Sequence, residues 1–333
     1  MSTINDVARA AKVAKSTVSN VLNNTKNVSP SVRARVLTAC KDLNYIPNFT
    51  ASSLVTKKTK IIGLYLGTEK QYQDFYSVLI KAVMIAAGTE NYKILLYYFV
   101  DSQEMSSALG FDKGLLDGAI FLTPLVHDFR IEHMTVNEIP FVLIGRSEEL
   151  TNAYSVDVDN VNLTYEIAQR LIQLGHQNIL FFNGNPDYTI SIDRLIGFNK
   201  ALQQYKIDSK NCSVVNTDNS GTQALNYLRE TISGFKYTAI IVPSDIIGAI
   251  LYPILQANRY TVGEDIAVAS LGGTSVAFDL VPKLTTTKQN YNEIGTKAFE
   301  LLHALMNGKT PEEEQVVIES DIIFTNSCSP VKQ

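Results

Sequence analysis

Short, continuously apolar segments alternate with amphipathic ones from residue 61 onward, and this alternation is the strongest constraint on the fold. Between the first two apolar segments lies a helical stretch from Phe75 to Ala87, and another helix precedes the third. The apolar segments are IIGLYLG (61–67), KILLYYFV (93–100), GAIFLTP (118–124) and PFVLIG (140–145). Apolar runs of this length separated by helices indicate a parallel sheet that is buried on both faces. The sequence therefore predicts a doubly wound α/β body.

The same series begins again near residue 160. An amphipathic segment at 162–175 is followed by a strand at 178–184 and a helix at 194–205. Further strands are predicted at 213–216, 239–244 and 266–272. The repetition predicts a body of two similar lobes. Because ligands of parallel α/β sheets bind at the carboxyl ends of the strands, we expect a ligand cleft between the lobes.

The charge of the chain is distributed unevenly. Residues 1–60 contain ten lysines and arginines against two acids, a net charge of +8, whereas the remainder carries −12. A basic segment on an acidic body favours a polyanionic partner such as nucleic acid. On charge alone, a basic surface that is merely solvated explains the bias equally well.

The basic segment has the pattern of three short helices. Apolar residues at helical spacing predict a first helix at 4–11. Thr3, just before this helix, and Asp6, within its first turn, have the spacing of a capping box. A turn at 12–14 separates this helix from a second at 15–22, and Ser29 and Pro30 open a third that ends before Pro47. Three helices in this length, with a tight turn between the first two, match a helix-turn-helix unit, although a plain helical bundle has the same periodicity.

In a helix-turn-helix unit the second helix enters the DNA major groove. Val18, Val21 and Leu22 form its apolar stripe, which leaves polar side chains for base edges and phosphates. The residues predicted to contact DNA in this unit are Thr3, Lys15, Ser16, Thr17, Ser19, Asn20 and Asn23.

The segments TINDVARAAKVAKSTVSNVLNN, VSPSVRARVLTACKDLNYIPN and ASSL strongly resemble the start of the LacI/GalR family of bacterial transcription regulators. The resemblance implies a helix-turn-helix domain at 1–46, a hinge helix and linker at 47–59, and a two-lobed body resembling periplasmic binding proteins at 60–333. Two departures matter. Ala14 replaces a family serine that would cap the second helix, and Asn20 replaces a frequent arginine, so operator preference does not carry over.

The resemblance also implies how the hinge works. In the family this helix folds on DNA and pairs across a dimer in the minor groove. Asn48 can cap it, Ala51 lies within it, and Leu54 matches a leucine that wedges between base steps. The alternative is a flexible tether with Leu54 merely exposed. Ser52 replaces the usual arginine of this segment and so removes one phosphate contact.

For the body, the resemblance implies crossovers near residues 160 and 290, with lobe 1 at about 60–159 and 291–325 and lobe 2 at about 160–290. The residues expected to bind an effector are Phe75, Tyr76, Arg146, Arg194, Asp245 and Gln289. The aromatic pair could instead pack in the core, Arg194 could form a surface ion pair, and Asp245 could cap a helix. Gly272 occupies the place of a family aspartate that grips sugar hydroxyls, which leaves the effector's identity open.

Other function classes lack sequence support. The chain contains no dinucleotide-binding, P-loop or nucleophile-elbow motif, its four histidines are scattered, and its three cysteines form no pair. We therefore expect no enzyme, no metal and no cofactor. The N-terminus lacks a secretory signal and no run approaches ~18 apolar residues, so a cytoplasmic location without a membrane partner is expected.

The sequence as a whole predicts a repressor that binds a palindromic double-stranded DNA operator and responds to a small-molecule effector, which we expect to be a carbohydrate. No leucine heptads follow the last predicted strand, so we expect a homodimer. Two alternatives remain at this point: a solute-binding receptor, and a regulator gated by a protein partner instead of a metabolite.

Overall fold

The computed structural model describes residues 2–23, 27–46, 58–67, 73–98, 114–217 and 221–332. The chain divides between Thr59 and Lys60 into two compact units. The described residues of the first unit form three helices: α1 (Ile4–Ala11), α2 (Lys15–Asn23) and α3 (Pro30–Asp42). Val7, Val18 and Val36 are fully buried, one from each helix, and they form the centre of its core.

The ends of these helices follow the predicted sequence signals in part. Thr3 caps α1: its hydroxyl accepts a bond from Asp6 N, and Asp6 Oδ2 accepts one from Thr3 N at 2.9 Å. Pro30 opens α3 as expected, because a missing N–H costs nothing there. Ser29 occupies the N-cap position before Pro30, but its side chain makes no capping bond, and its hydroxyl lies 3.3 Å from that of Ser31.

The second unit begins with the first lobe. In chain order its elements are β1 (Ile61–Tyr65), α4 (Gln73–Thr89), β2 (Lys93–Tyr97), β3 (Gly118–Leu122), α5 (Phe129–Val136), β4 (Phe141–Ile144) and β5 (Ser155–Asp157). The chain then crosses to the second lobe, whose elements are α6 (Asn160–Gln173), β6 (Ile179–Asn183), α7 (Thr189–Gln204), β7 (Ser213–Asn216), α8 (Thr222–Thr231), β8 (Ala239–Val242), α9 (Asp245–Ala257), β9 (Ala267–Ser270) and α10 (Val276–Asp279).

Four elements complete the body: β10 (Thr286–Lys288), α11 (Tyr291–Met306), β11 (Gln315–Val317) and β12 (Asp321–Ile323). The first-lobe sheet is parallel, in the order β11-β5-β4-β3-β1-β2, and the second is parallel in the order β7-β6-β8-β9. Fully buried residues such as Ile120 and Ile240 occupy these strands, as their continuous apolar sequences predict. The α/β fold class is confirmed.

In the part of the body that the structure describes, three chain segments connect the lobes. The chain leaves the first lobe after β5, returns to it after β10, and leaves it again after β11, and β10 pairs with β12 in an antiparallel ribbon. The residues after β12 pack on the second lobe, where Val331 N donates to Leu174 O and Cys328 Sγ to Val268 O. Among the described residues no helix has both the length and the apolar character to cross a membrane.

Candidate nucleic-acid interface and interlobe cavity

Helix α2 presents one polar face and one buried face. Lys15 and Ser16 are exposed at its start, whereas Val18 and Val21 are buried against the other helices. Thr17, Ser19 and Asn20 are partly exposed. The structure therefore brings five of the predicted DNA-contacting residues onto one short helix with donors and acceptors for bases and phosphates.

The remaining predicted DNA-contacting residues have different positions. Thr3 is exposed, but its hydroxyl is engaged in the capping box of α1. The side chain of Asn23 lies outside the described residues, as do Asn48, Ala51 and Leu54 of the predicted hinge. Their roles stay predictions.

A cavity of about 60 Å³ lies between the two lobes of the body. Its walls are mostly apolar and include Pro124, Ile144, Val158, Ile190, Leu271 and Ile294. Ligand pockets typically enclose roughly 300–1,000 Å³. The lobes therefore close tightly over this space, and a ligand of drug size requires them to separate.

Four of the six residues predicted to bind an effector line the cavity: Phe75, Arg194, Asp245 and Gln289. Tyr76 does not. Its side chain is buried in the first lobe, where the hydroxyl accepts from Gly67 N at 3.0 Å and lies 3.0 Å from Thr123 Oγ1. Burial raises the pKa of Tyr76 to about 12, so the hydroxyl stays neutral. Tyr76 therefore packs in the core, which was the alternative role for the aromatic pair, whereas Phe75 lines the cavity.

Arg146 also lies outside the cavity lining. It reaches from the first lobe to Asp193 on α7 of the second, with Nη2 2.7 Å from Oδ1 and Nε 2.9 Å from both carboxylate oxygens. Its Nη2 also contacts Glu148 of its own lobe at 2.7 Å. These bonds raise the pKa of the guanidinium above its usual range, so Arg146 stays charged. Its position makes it a connection between the lobes.

Backbone hydrogen bonds also cross the seam, which is the line of contact between the two lobes beside this ion pair. Thr189 N donates to Pro124 O at 3.2 Å, and Val126 N donates to Asp187 O at 2.8 Å. The hydroxyl of Thr189 donates to Arg146 O at 3.1 Å. The closed arrangement of the lobes is thus held by hydrogen bonds as well as by the ion pair.

Arg194 is buried on α7 and uses its guanidinium to bind backbone. Nη1 donates to Pro243 O and Nη2 to Leu271 O, both at 3.2 Å, at the ends of two neighbouring strands of its lobe. The alternative of a surface ion pair does not hold for Arg194, because the residue is buried and its guanidinium bonds to backbone carbonyls. Among the described residues one buried donor, Nε, is left without a partner.

Asp245 lines the cavity, but its carboxylate is already engaged by the protein. Oδ2 accepts from the backbone N and the hydroxyl of Thr274 at 2.6 and 2.9 Å, and Oδ1 accepts from Thr286 Oγ1 at 2.6 Å. Asp245 is the first residue of helix α9, and Ser244 caps this helix instead. Asp245 thus joins the loop after β9 to β10.

Gly272 fits this arrangement because it has no side chain. A Cβ at that position would lie 2.7 Å from the backbone N and the carboxyl group of Asp245. The observed position of Asp245 therefore requires glycine at position 272, where the family usually has an aspartate. A side chain at 272 would have to displace this network.

Asp157 is a further residue of the cavity and was not predicted from the sequence. It ends β5, lines the cavity, and accepts bonds from Val158 N at 2.8 Å and Asn160 Nδ2 at 3.1 Å. Burial, with the nearby charge of Asp193, raises the pKa of Asp157 to about 7, although these hydrogen bonds and Arg194 oppose the rise. A carboxylate at the end of a buried strand, just before a crossover, was the available signal.

Comparison with known proteins agrees with both units. Residues 3–48 match the bacterial regulatory proteins of the lacI family, and residues 168–328 match a periplasmic binding protein-like domain. Catabolite control protein A of Priestia megaterium is 30% identical over 98% of either chain. Among solved structures, a complex of the transcriptional regulator CelR with cellobiose is 26% identical, with a TM-score of 0.73 over 98% of this chain and 100% of that one.

A lac repressor dimer bound to operator and the anti-inducer ONPF has the same fold, with a TM-score of 0.86, 22% identity, and coverage of 98% of this chain and 99% of that one. The predicted regulator function is confirmed by the family of these relatives, which are transcription regulators and not enzymes. The chain is a member of the lacI family of bacterial regulatory proteins.

Proposed function

We propose that this DNA-binding regulator is a cytoplasmic repressor whose operator affinity is set by a small carbohydrate bound between the lobes. The observation that carries the proposal is the cavity itself, which both lobes line and which their contacts close. A ligand there contacts both lobes at once, so it shifts the equilibrium between open and closed bodies by its differential affinity for them.

The carbohydrate class is supported by the arrangement of polar groups among apolar walls. Arg194 retains one unpartnered donor, and Gln289 presents an amide whose nitrogen lies 3.1 Å from Thr287 Oγ1. Phe75 adds an aromatic surface on the first lobe. The CelR relative was solved with cellobiose, which makes cellobiose a reasonable first probe.

The test is a titration of purified protein on an operator fragment, with and without cellobiose, glucose and a panel of other neutral mono- and disaccharides. We expect at least one sugar to change operator affinity and to raise the unfolding temperature, because a bound ligand stabilises by mass action. If operator affinity changes with none of these sugars but does change when another protein is added, gating by a protein partner would be favoured.

We further propose a homodimer that reads two operator half-sites. Apolar side chains cluster on α4 and on β2, which lies at one end of its sheet among the described strands: Met84 and Ile85 are 56% and 61% exposed, and Leu96 is 50% exposed. Exposed apolar groups on an end strand and its neighbouring helix are typical of a protein interface. A two-fold dimer matches a palindromic operator.

Sedimentation at micromolar concentration tests this assembly. We expect a dimer for the wild-type chain and a shift towards monomer for Ile85→Asp or Leu96→Lys. The control is Val136→Lys, at a residue 74% exposed on α5, outside this cluster. A dimer unaffected by the first two variants would place the interface elsewhere.

A further inference from the structure

Asp157 retains acceptor capacity towards the cavity. Both of its hydrogen bonds, from Val158 N and Asn160 Nδ2, end on Oδ1. Oδ2 accepts no bond from any residue that the structure describes, although the side chain lines the cavity. A carboxylate beside apolar walls has lost part of its hydration, and one oxygen is left without compensation.

The charged groups around Asp157 do not supply this compensation. Arg194 acts on Asp157 through space, but both of its Nη atoms donate to backbone carbonyls. Asp193 adds a second negative charge nearby, and its own partner is Arg146. Asp245, on the opposite wall, is satisfied by Thr274 and Thr286. The cavity is thus lined by two carboxyl groups, those of Asp157 and Asp245, and by the single guanidinium of Arg194.

We propose that Asp157 selects the effector by accepting a hydrogen bond from a protonated amine, so that the effector is an amine-bearing carbohydrate such as an amino sugar. This inference rests on the proposed function and narrows its ligand class. An ammonium group at Oδ2 replaces the lost hydration with a charge-assisted hydrogen bond. A neutral hydroxyl at the same place donates a weaker hydrogen bond, because the donor carries no charge.

The difference has a measurable size. A hydrogen bond to a charged group contributes about ten- to hundredfold in affinity, and we expect the advantage of an ammonium over a hydroxyl to lie at the low end of this range, because the ammonium also loses hydration in the apolar site. Because Asp157 lies on the first lobe and Arg194 on the second, the amine end of the ligand is expected against the first lobe. The hydroxyl end is then expected against the second lobe, where Arg194 lines the cavity.

The experiment compares matched probes by titration calorimetry at neutral pH: glucosamine against glucose, and galactosamine against galactose. The full-length chain, Asp157→Asn and Asp159→Asn are measured side by side. Asp159 is a suitable control because it caps α6 through Asn162 N at 2.8 Å and lies outside the cavity lining. Asparagine preserves the size of the side chain at both positions.

We expect at least one amino sugar to bind about tenfold or more tightly than its neutral counterpart. This preference should disappear in Asp157→Asn and persist in Asp159→Asn. The inference is overturned if the neutral sugars bind as tightly as the amino sugars, if neither amino sugar binds, or if Asp157→Asn keeps the preference.

Operator binding measured in the same samples separates this inference from the proposed function. A neutral sugar that binds and changes operator affinity would leave the proposed regulation intact and overturn the selection of an amine. If amino sugars are preferred only when Asp157 is present, but their binding leaves operator affinity unchanged, the role of Asp157 in selecting an amine is supported. Regulation of DNA binding by these ligands is then contradicted.

Discussion

Arg146 of the first lobe and Asp193 of the second form a bidentate ion pair that joins the lobes, with Nη2 2.7 Å from Oδ1. The same guanidinium contacts Glu148 of its own lobe at the same distance. One arginine thus has a partner on each side of the seam. Loss of Asp193 removes a bond between lobes, whereas loss of Glu148 removes a bond within one lobe.

Asp193→Asn is predicted to favour the open arrangement of the lobes. Because Arg146 is partly exposed to solvent, we expect a shift of only about 1 kcal/mol, or roughly fivefold in the open fraction. The measurement is hydrogen exchange at the amides of Val126 and Thr189, which donate across the seam. Exchange there should accelerate in Asp193→Asn and stay near the wild-type rate in Glu148→Gln. Equal acceleration in both variants would contradict a connecting role.

Thr3→Ala is predicted to loosen the start of α1. The Thr3 hydroxyl caps this helix, and removal of such a cap costs about 1 kcal/mol. Amides in the first turn of α1 should exchange about fivefold faster. Ser29→Ala is the matched control, since Ser29 precedes α3 without a capping bond and its replacement should change exchange in α3 very little. A larger effect at Ser29 than at Thr3 would refute this account of the helix starts.

Replacement of Lys15 and Ser16 together is predicted to change which operator the protein prefers. Both side chains are exposed at the start of α2, where base edges are read in helix-turn-helix units. The measurement is selection of preferred sequences from a randomised pool of DNA. Lys41→Ala, on the exposed part of α3, should alter affinity but not preference. An unchanged preference in the Lys15/Ser16 variant would show that α2 is not the reading helix.

Asp245→Ala is predicted to destabilise the body and not simply to block effector binding. The change leaves Thr274 N, Thr274 Oγ1 and Thr286 Oγ1 without their acceptor, at a cost of about 2–4 kcal/mol. Denaturant unfolding measures the loss. Gln289→Ala serves as the comparison, because its amide makes only bonds of 3.1 and 3.4 Å at the cavity. A stable Asp245→Ala protein would return this residue to a direct role in ligand binding.

The stability of the body is predicted to depend on pH through Asp157. Its native pKa of about 7 lies above the ordinary 3.8, so the folded state holds this proton more tightly than the unfolded state. The resulting stabilisation is full below about pH 4 and is lost as the pH rises through 7. Between pH 5 and 8 the unfolding temperature of the wild type should therefore fall more than that of Asp157→Asn. Asp159→Asn should follow the wild type, and a parallel fall in all three proteins would contradict the raised pKa.

The sequence alone determined the elements of the fold. Apolar stripes and a capping box at Thr3 specify short helices in the first unit, and continuous apolar runs such as 61–67 specify buried parallel strands. These signals are local, because each depends on the spacing of residues within one element. The resemblance to the LacI/GalR family likewise rested on contiguous motifs, and the family is confirmed.

Tertiary structure decided what individual polar side chains do. Phe75 and Tyr76 are neighbours in sequence, yet one lines the cavity and the other is buried against Gly67 and Thr123. Asp245 is occupied by residues about 30 and 40 positions further along the chain. Arg146 meets Asp193 only because the lobes close on each other. The burial and partners of a polar group depend on segments distant in sequence. Those contacts exist only once each lobe has folded and, for Arg146 and Asp193, only once the two lobes have packed together.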